Sequence, residues 1–136
     1  MNDTQRYTFP ACEKLKSRKD IEHLFGKGNS FSNFPFRILW AYKEDQQSDL
    51  QVGFTVSSKN FKKATDRNRI KRLMREAYRL KKHDLFQKLA EHKKQMAVFF
   101  IYVGNELPGY ELVSLKTGNV LRRLIKIINE NDLADT

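Results

Sequence analysis

The sequence predicts a single α+β domain in which a small, mostly antiparallel sheet packs against three helices. Apolar residues alternate at a period of two in some segments and recur at helical intervals in others. The chain has 136 residues, of which 40% are hydrophobic and 12% aromatic, enough to build one core. No repeat, low-complexity tract or linker divides it, so we expect residues 1–136 to form one domain with an ordered core at about 14–129.

Two helices are predicted from apolar residues spaced three and four apart. The first spans residues 17–27 and ends at one of two glycines. Its apolar residues and possible ends are Ile21, Leu24, Phe25, Gly26 and Gly28. The last helix spans residues 110–129, with Gly118 weakening its middle, and residues 130–136 are expected to fray. Its apolar side is predicted to consist of Leu112, Leu115, Leu121, Leu124, Ile125 and Ile128.

Three segments are predicted to be strands. Residues 34–43 and 50–57 each place apolar side chains on one face, and residues 44–49 form the loop of a hairpin between them. Residues 96–103 are apolar on both faces, which is typical of a central strand, and 105–109 form a turn. The inward residues of the first two strands are Phe34, Phe36, Ile38, Trp40 and Tyr42, then Val52, Phe54 and Val56.

The positive charge of the chain is concentrated in residues 59–82. This segment holds eleven basic and two acidic residues, a net charge of +9 in a chain whose total is +10. A helix with Asp66 as its N-cap separates these cations from an apolar side and presents them as a stripe. The apolar side is Ile70, Leu73, Met74, Ala77 and Tyr78, and the stripe is Asn68, Lys71, Arg72, Arg75, Arg79 and Lys82.

Such a stripe predicts a polyanionic partner. The face of a helix that only contacts solvent usually carries both positive and negative charges. A row of positive charges alone is unfavourable, because like charges four residues apart destabilise an isolated helix by roughly 0.2–0.5 kcal/mol per pair. An anionic ligand would remove this repulsion. Arginine can grip a phosphate with two hydrogen bonds or stack on a base. Nucleic acid fits better than a membrane because few bulky apolar residues remain to enter lipid. Residues 1–6 lack the apolar stretch of a secretory signal, so we expect a cytoplasmic protein.

No pattern of residues predicts catalysis or metal binding by the chain itself. Cys12 and the three histidines, His23, His83 and His92, do not stand at metal-ligand spacing. The carboxylates are scattered, and there is no phosphate-binding loop, nucleophile elbow or dinucleotide fingerprint. The common duplex-DNA motifs are also missing, whereas unpaired RNA bases could stack on aromatic residues. We therefore predict a binding protein without catalytic residues or a metal site.

Residues 67–76 resemble the signature of a known family. Their sequence, RNRIKRLMRE, is similar to the RNR motif of the bacterial ribonuclease P protein subunit. GFTVSSK at 53–59 resembles the strand before that motif, and DIEHLFGKG at 20–28 resembles the N-terminal helix of the family. The resemblance covers roughly residues 14–128. It implies a ribosomal protein S5 domain 2-like fold, with a four-stranded sheet and a left-handed crossover, against the usual right-handed rule.

The same resemblance implies a protein cofactor of a ribozyme. The RNA subunit would remove the 5′ leader of precursor tRNA with Mg²⁺ bound mainly by RNA, while one protein per RNA subunit binds both that RNA and the leader. The residues implied to contact the RNA subunit are Arg67, Asn68, Arg69, Lys71, Arg72, Arg75 and Arg79. Those implied to lie at the leader cleft are Ile21, Phe25, Arg37, Leu39 and Lys59.

Three positions depart from the commonest pattern of the family. Ile21 and Leu39 stand where an aromatic residue is usual, and Phe61 stands where glycine is expected. These differences concern the leader cleft and the entry to the basic helix. The residues alone are also compatible with two other functions. One is a ribosomal or RNA-chaperone protein that binds structured RNA without cleaving it, and the other is a protein-only nuclease.

Overall fold

The computed structural model of the protein describes residues 9–44 and 48–134, with side chains as far as 130. The segment 1–6, the centre of the predicted loop 44–49 and the last two residues of the chain lie outside this range. In chain order the elements are a 3-10 helix (Ala11–Glu13), α1 (Arg18–Lys27), β1 (Asn29–Asn33), β2 (Phe36–Lys43), β3 (Leu50–Val56), α2 (Ala64–Lys81), α3 (His83–Glu91), β4 (Gln95–Tyr102) and α4 (Tyr110–Ala134).

The four strands form one mixed sheet in the order β1-β2-β4-β3. The β1/β2 and β2/β4 pairs are antiparallel, whereas β3 is parallel to β4 and is connected to it through α2 and α3. Strand β4 lies between β2 and β3, so the predicted hairpin of these two strands is wrong. The predicted α+β class and the mostly antiparallel four-stranded sheet are confirmed. Strand β4 is central and buried on both faces, as its apolar sequence indicates. The left-handed sense of the crossover stays a prediction.

The two faces of this sheet are covered unequally. Helices α2, α3 and α4 cover one face and bury a large core around Phe36, Ile38 and Phe100. Helix α1 and Leu15 cover part of the other face and bury a small cluster. That cluster consists of Leu15, Leu24, Leu39, Ala41, Ala97 and Phe99. The sheet is therefore fully packed on one side and partly open on the other.

Helix α1 closely follows its predicted bounds. The Ser17 hydroxyl accepts a hydrogen bond from the backbone N–H of Asp20 at 3.3 Å, which caps the first turn, and Gly28 stands at the C-cap. The helix is tied to β2 by a salt bridge of 2.8 Å between Asp20 and Lys43. The salt bridge therefore helps to fix α1 on the sheet. The helix covers only part of the sheet face opposite α2, α3 and α4, and one end of that face stays open.

Two elements, β1 and α3, are absent from the prediction. Strand β1 has the sequence NSFSN and buries only Phe31, because it is an edge strand, so apolar alternation cannot reveal it. Helix α3 lies in a stretch that is polar in composition, and its buried residues are Leu85 and Leu89. The prediction of three helices is therefore wrong, because the described part of the chain contains four α-helices.

The start of α2 and the start of β2 also differ from prediction. Helix α2 begins at Ala64, with Lys63 in the cap position and no side-chain cap, so Asp66 is not the N-cap. Asp66 lies in the first turn, where a carboxylate still interacts favourably with the helix dipole. Phe34 lies in the turn before β2 and is 69% exposed, so it does not belong to the core face of that strand.

Helix α4 differs from prediction in its buried side and its end. It runs without a break past Gly118 and beyond residue 130 to Ala134, so the predicted fraying from 130 onward is wrong up to that residue. Leu112 and Leu115 were predicted to be buried but are exposed. At 3.6 residues per turn they do not lie on the same side of the helix as the buried Leu124. The buried side is Val113, Thr117, Val120, Leu121, Leu124 and Ile128.

Candidate nucleic-acid interface

The outer side of α2 presents most of the predicted cationic stripe. Its inner side is held on the sheet by Ile70, Met74, Ala77 and Tyr78, each fully buried. Because these contacts fix the rotation of the helix, side chains on the opposite side point into solvent. Of the residues implied to contact RNA, the exposed ones are Asn68, Arg69, Arg72 and Arg75, and the half-buried ones are Arg67, Lys71 and Arg79.

Three arginines of α2 keep their charge available for a ligand. Within residues 9–44 and 48–130, no carboxylate oxygen lies within 4 Å of the guanidinium groups of Arg69, Arg72 or Arg75. Arg79 differs, because it forms an ion pair with Glu76 one turn earlier. The hydrogen bonds to Glu76 raise the pKa of Arg79. The exposed charge is therefore greatest in the middle of α2.

Arg67, the first residue of the RNR motif, also has a structural contact. Its Nη1 donates hydrogen bonds to the carbonyl oxygen atoms of Phe61 at 2.8 Å and Lys62 at 2.9 Å. These bonds tie the loop after β3 to the first turns of α2. Phe61 is buried against the ring of Tyr102, with centroids 6.0 Å apart. Arg67 therefore shapes the entry to the helix in addition to carrying charge.

Lys82, predicted to extend the stripe, is buried instead. It is 3% exposed, and its Nζ lies 2.6 Å from Oε1 of Glu13 in the N-terminal 3-10 helix. The same ammonium group lies 5.9 Å from the centroid of the Tyr78 ring and 5.6 Å from that of Phe86. Helix α2 ends at Lys81, so Lys82 turns toward the N-terminal segment. The prediction that Lys82 belongs to the exposed stripe is therefore wrong.

The loop between β3 and α2 adds exposed lysines next to the start of the stripe. Lys59, Lys62 and Lys63 are all exposed there. The loop is held to the end of β4 because the Asn60 side chain donates to the carbonyl oxygen atoms of Val103 at 3.1 Å and Gly104 at 3.2 Å. Lys59, implied to lie at the leader cleft, therefore stands at the same end of the sheet as the first turn of α2.

The residues implied to line a leader cleft occur on the partly open face of the sheet. Phe25 is 58% exposed, and its ring meets Phe99 edge to face at 5.8 Å. Arg37 is exposed and Ile21 is half-buried. Leu39 is 3% exposed and belongs to the small core beneath α1. The structure thus brings Phe25, Ile21 and Arg37 to one face, while Leu39 offers almost no surface to a ligand.

An open row of side chains crosses this face beyond the end of α1. By strand register, Ser32, Arg37, Ile101 and Thr55 are neighbours on the four strands, and each is exposed or half-buried. Sequence reasoning identified only Arg37 in this row. Alternation shows which residues of one strand share a face, but not which strands are neighbours. The other members could therefore be found only from the three-dimensional arrangement.

The neighbouring row is closed by Phe99, which lies across Gly53. A Cβ atom at Gly53 would lie 2.7 Å from the Phe99 ring, so glycine is needed for this close approach. The ring in turn supports the exposed ring of Phe25. The one sequence signal for this contact is the presence of a glycine inside a predicted strand.

In the part of the chain that the structure describes, no three His, Cys, Asp or Glu side chains come together as a metal site. None of the helices there combines the length and the apolar character needed to cross a membrane.

The fold and the charges define a class of protein: a small basic α+β domain that presents arginines on one helix beside a partly open sheet. The family model described as Ribonuclease P matches residues 9–124. The ribonuclease P protein component of Porphyromonas gingivalis is 37% identical over 114 residues, covering 83% of this chain and 83% of that protein. That of Chlorobaculum tepidum is 30% identical over 135 residues, covering 92% and 88%. The chain belongs to the ribonuclease P protein family.

Solved structures agree with this assignment. The RNase P protein from Thermotoga maritima matches with a TM-score of 0.61 and 28% identity, over 82% of this chain and 96% of that one. The Staphylococcus aureus RNase P protein shares the fold, with a TM-score of 0.57 and 24% identity over 85% and 94%. The resemblance found in the sequence is thereby confirmed, and it connects the chain with ribonuclease P, a ribonucleoprotein of tRNA processing.

Proposed function

We propose that the protein is the RNA-binding subunit of a ribonuclease P, an endoribonuclease whose RNA component is catalytic. One copy would bind the ribonuclease P RNA and assist removal of the 5′ leader from precursor tRNA. The observation that carries the proposal is the exposed row of Arg69, Arg72 and Arg75 on a helix whose rotation is fixed by the core. Membership of the ribonuclease P protein family supports the same conclusion.

The outer side of α2 would bind the RNA subunit. The exposed arginines Arg69, Arg72 and Arg75 have no carboxylate partner in the described part of the chain, so their charge is not already neutralised. Each planar guanidinium can form two hydrogen bonds to one phosphate, and these bonds are stronger than those between neutral groups. Because the buried residues Ile70 and Met74 fix α2 on the sheet, the helix itself does not have to become ordered on binding. The entropy cost is then limited mainly to the arginine side chains.

The open face of the sheet would hold the single-stranded leader. Phe25 offers an exposed ring on which a base can stack, supported from below by Phe99. Arg37 is an exposed cation at the open end of this face, and Lys59 is exposed in the loop at the same end of the sheet. Ile21 and the buried Leu39 cannot replace a stacking ring, so Phe25 would carry most of the aromatic contact.

The protein would assist cleavage by electrostatics and positioning. Two RNA molecules repel each other through their phosphates, and a basic protein between them offsets that repulsion. Precursor affinity would rise, and less Mg²⁺ would be needed to fill the sites of the RNA. The Mg²⁺ for hydrolysis would be bound mainly by RNA, and we assign no catalytic residue to the protein.

Reconstitution tests the proposal directly. Labelled precursor tRNA is incubated at low Mg²⁺ with the protein, with a bacterial ribonuclease P RNA, and with both. We expect efficient leader removal only in the mixture. Cleavage by the protein alone would instead identify a protein-only nuclease, and absence of any stimulation would favour a ribosomal or RNA-chaperone protein.

A further inference from the structure

A groove separate from both proposed RNA contacts lies between α4 and the junction of α2 with α3. The C-terminal end of α2 passes the middle of α4 there, and the groove has a volume of about 380 Å³. Its charged and polar lining residues are Lys81, His83, Asp84 and Arg122, and Gly118 forms part of its floor. Helices α2 and α4 cover the same face of the sheet, so this groove opens on the outer side of the domain, as the stripe of α2 does.

Two cations from different helices converge in this groove. The Nζ of Lys81 and the Nη1 of Arg122 lie 3.8 Å and 3.5 Å from the position that a Cβ atom at residue 118 would occupy. In the described part of the chain neither group forms a salt bridge, and Arg122 is oriented by a hydrogen bond to the side chain of Asn119. Both charged groups lie within 4 Å of the same point above Gly118, so they repel each other, and an anion bound there would relieve that repulsion.

Gly118 lies beneath the point where these two cations meet. Its φ is not positive, and a Cβ atom would make only ordinary contacts of 3.5 Å or more. Alanine would therefore fit, and glycine costs helix stability relative to alanine. Folding of α4 thus gives no reason for glycine at this position. Gly118 is buried beneath Lys81 and Arg122, and the missing side chain lets both cations lie close to the helix.

We propose that this groove binds a backbone phosphate of RNA, with Lys81 and Arg122 as its cationic ligands and Gly118 as its floor. The inference rests on the proposed function, since that function makes RNA the partner. It extends the RNA contact from α2 onto α4, where Arg123 and Lys126 are exposed within the next turn. Asp84 is the one carboxylate among the described lining residues, so the two ligands leave the groove with a net positive charge.

Three variants test the groove with two separate probes, a bacterial ribonuclease P RNA and a precursor tRNA. Lys81→Gln with Arg122→Gln removes the charges, and Lys93→Gln is a control that removes an exposed charge from a loop outside the groove. The double variant should bind one probe several-fold more weakly, with a log-log salt slope about 0.7–0.9 smaller in magnitude. The control should match the wild type. The probe that loses affinity identifies which RNA supplies the phosphate.

Gly118→Ala separates binding from folding. It keeps both charges but places a methyl group where they converge, so we expect a higher Tm together with several-fold weaker binding. Damage to the fold cannot produce these opposite changes. Unchanged affinity of Gly118→Ala for both probes, a lower Tm, or a double variant that behaves like Lys93→Gln would overturn the inference.

A further variant, Arg72→Gln with Arg75→Gln, distinguishes a failure of the groove assignment from a failure of the proposed function. If this α2 variant weakens binding while the groove variants do not, the proposed function stands and the groove assignment falls. If none of the variants weakens binding to either RNA, both fall.

Discussion

Arg75 and Lys82 belong to one basic segment, yet their environments are opposite. Arg75 is exposed on the outer side of α2 and has no carboxylate partner in the described part of the chain. Lys82 is 3% exposed, paired with Glu13, and flanked by aromatic rings. The difference arises because the N-terminal segment packs over the last turn of α2, where Phe9 meets Tyr78 at 5.4 Å. One cation is available to a ligand, and the other holds the fold together.

This contrast shows that the number of basic residues in a segment does not tell how many of them are available to bind a ligand. Arg67 lies between the two extremes, since it donates to two loop carbonyl groups while remaining half-exposed. Arg79 is likewise paired with Glu76. Mutations that exchange or remove these partners should therefore separate stability from RNA binding along one helix.

The largest effect is expected for Lys82→Ala. It removes the partner of the largely buried Glu13 carboxylate, so the free energy of unfolding should fall by about 3 kcal/mol. Urea denaturation measures the loss, and Arg75→Ala is the matched control, expected within about 0.5 kcal/mol of wild type. If Lys82→Ala cost no more than Arg75→Ala, the contrast between the two positions would be wrong.

Arg67→Ala should affect both properties. It removes two charge-assisted hydrogen bonds to Phe61 and Lys62, so we expect a loss of about 1.5 kcal/mol in unfolding free energy. Affinity for ribonuclease P RNA should also fall, because a cation next to the stripe is lost. Arg69→Ala, which lacks these loop contacts, should weaken binding with little change in stability. Equal stability losses for the two variants would remove the structural role of Arg67.

Tyr78→Phe should be neutral or stabilising by about 1 kcal/mol. No group in the described part of the chain forms a hydrogen bond with the fully buried Tyr78 hydroxyl, so its removal relieves an unsatisfied polar atom. A decrease of more than about 1 kcal/mol in thermal or urea unfolding would show that the hydroxyl has a stabilising partner.

The same variant should change the alkaline stability of the protein. Burial raises the pKa of Tyr78 well above its ordinary value of 10.0, and the nearby Glu13 carboxylate adds to this. The folded state then holds the proton more tightly, so this contribution is complete below about pH 10 and is lost as the pH rises further. Tyr78→Phe should lose less stability above that pH. Some loss should remain because burial and Glu106 also raise the pKa of Tyr102.

The smallest effect is expected for Glu76→Gln. It removes the acidic partner of Arg79, so RNA binding should tighten a few-fold and the salt slope should rise in magnitude by about 0.7–0.9. Stability should fall by no more than about 0.5 kcal/mol, since the pair is half-exposed and its residues are three apart on one helix. Filter binding over a range of KCl concentrations measures both quantities. Weaker binding would mean that Glu76 itself supports the RNA contact.

The sequence predicts those parts of the molecule that depend on local spacing. The apolar side of α2 follows from a 3.6-residue period, and its exposed arginines follow from that. Strand β1 and the burial of Lys82 could not be predicted, because each depends on a distant segment. Glu13 is 69 residues from Lys82, and Phe31 is buried by elements that pack over the edge strand. That Phe25 and Arg37 contact the leader is implied only by the family resemblance, and it stays a prediction.

The central claim, that the outer side of α2 binds RNA, is tested most directly by the salt dependence of binding to a bacterial ribonuclease P RNA. If about six phosphates are neutralised, the wild-type log-log slope should have a magnitude of about 4–5. Arg72→Gln with Arg75→Gln should lower it by about 1.4–1.8 without a loss of stability. A wild-type slope near 1, or an unchanged slope in the variant, would contradict the claim.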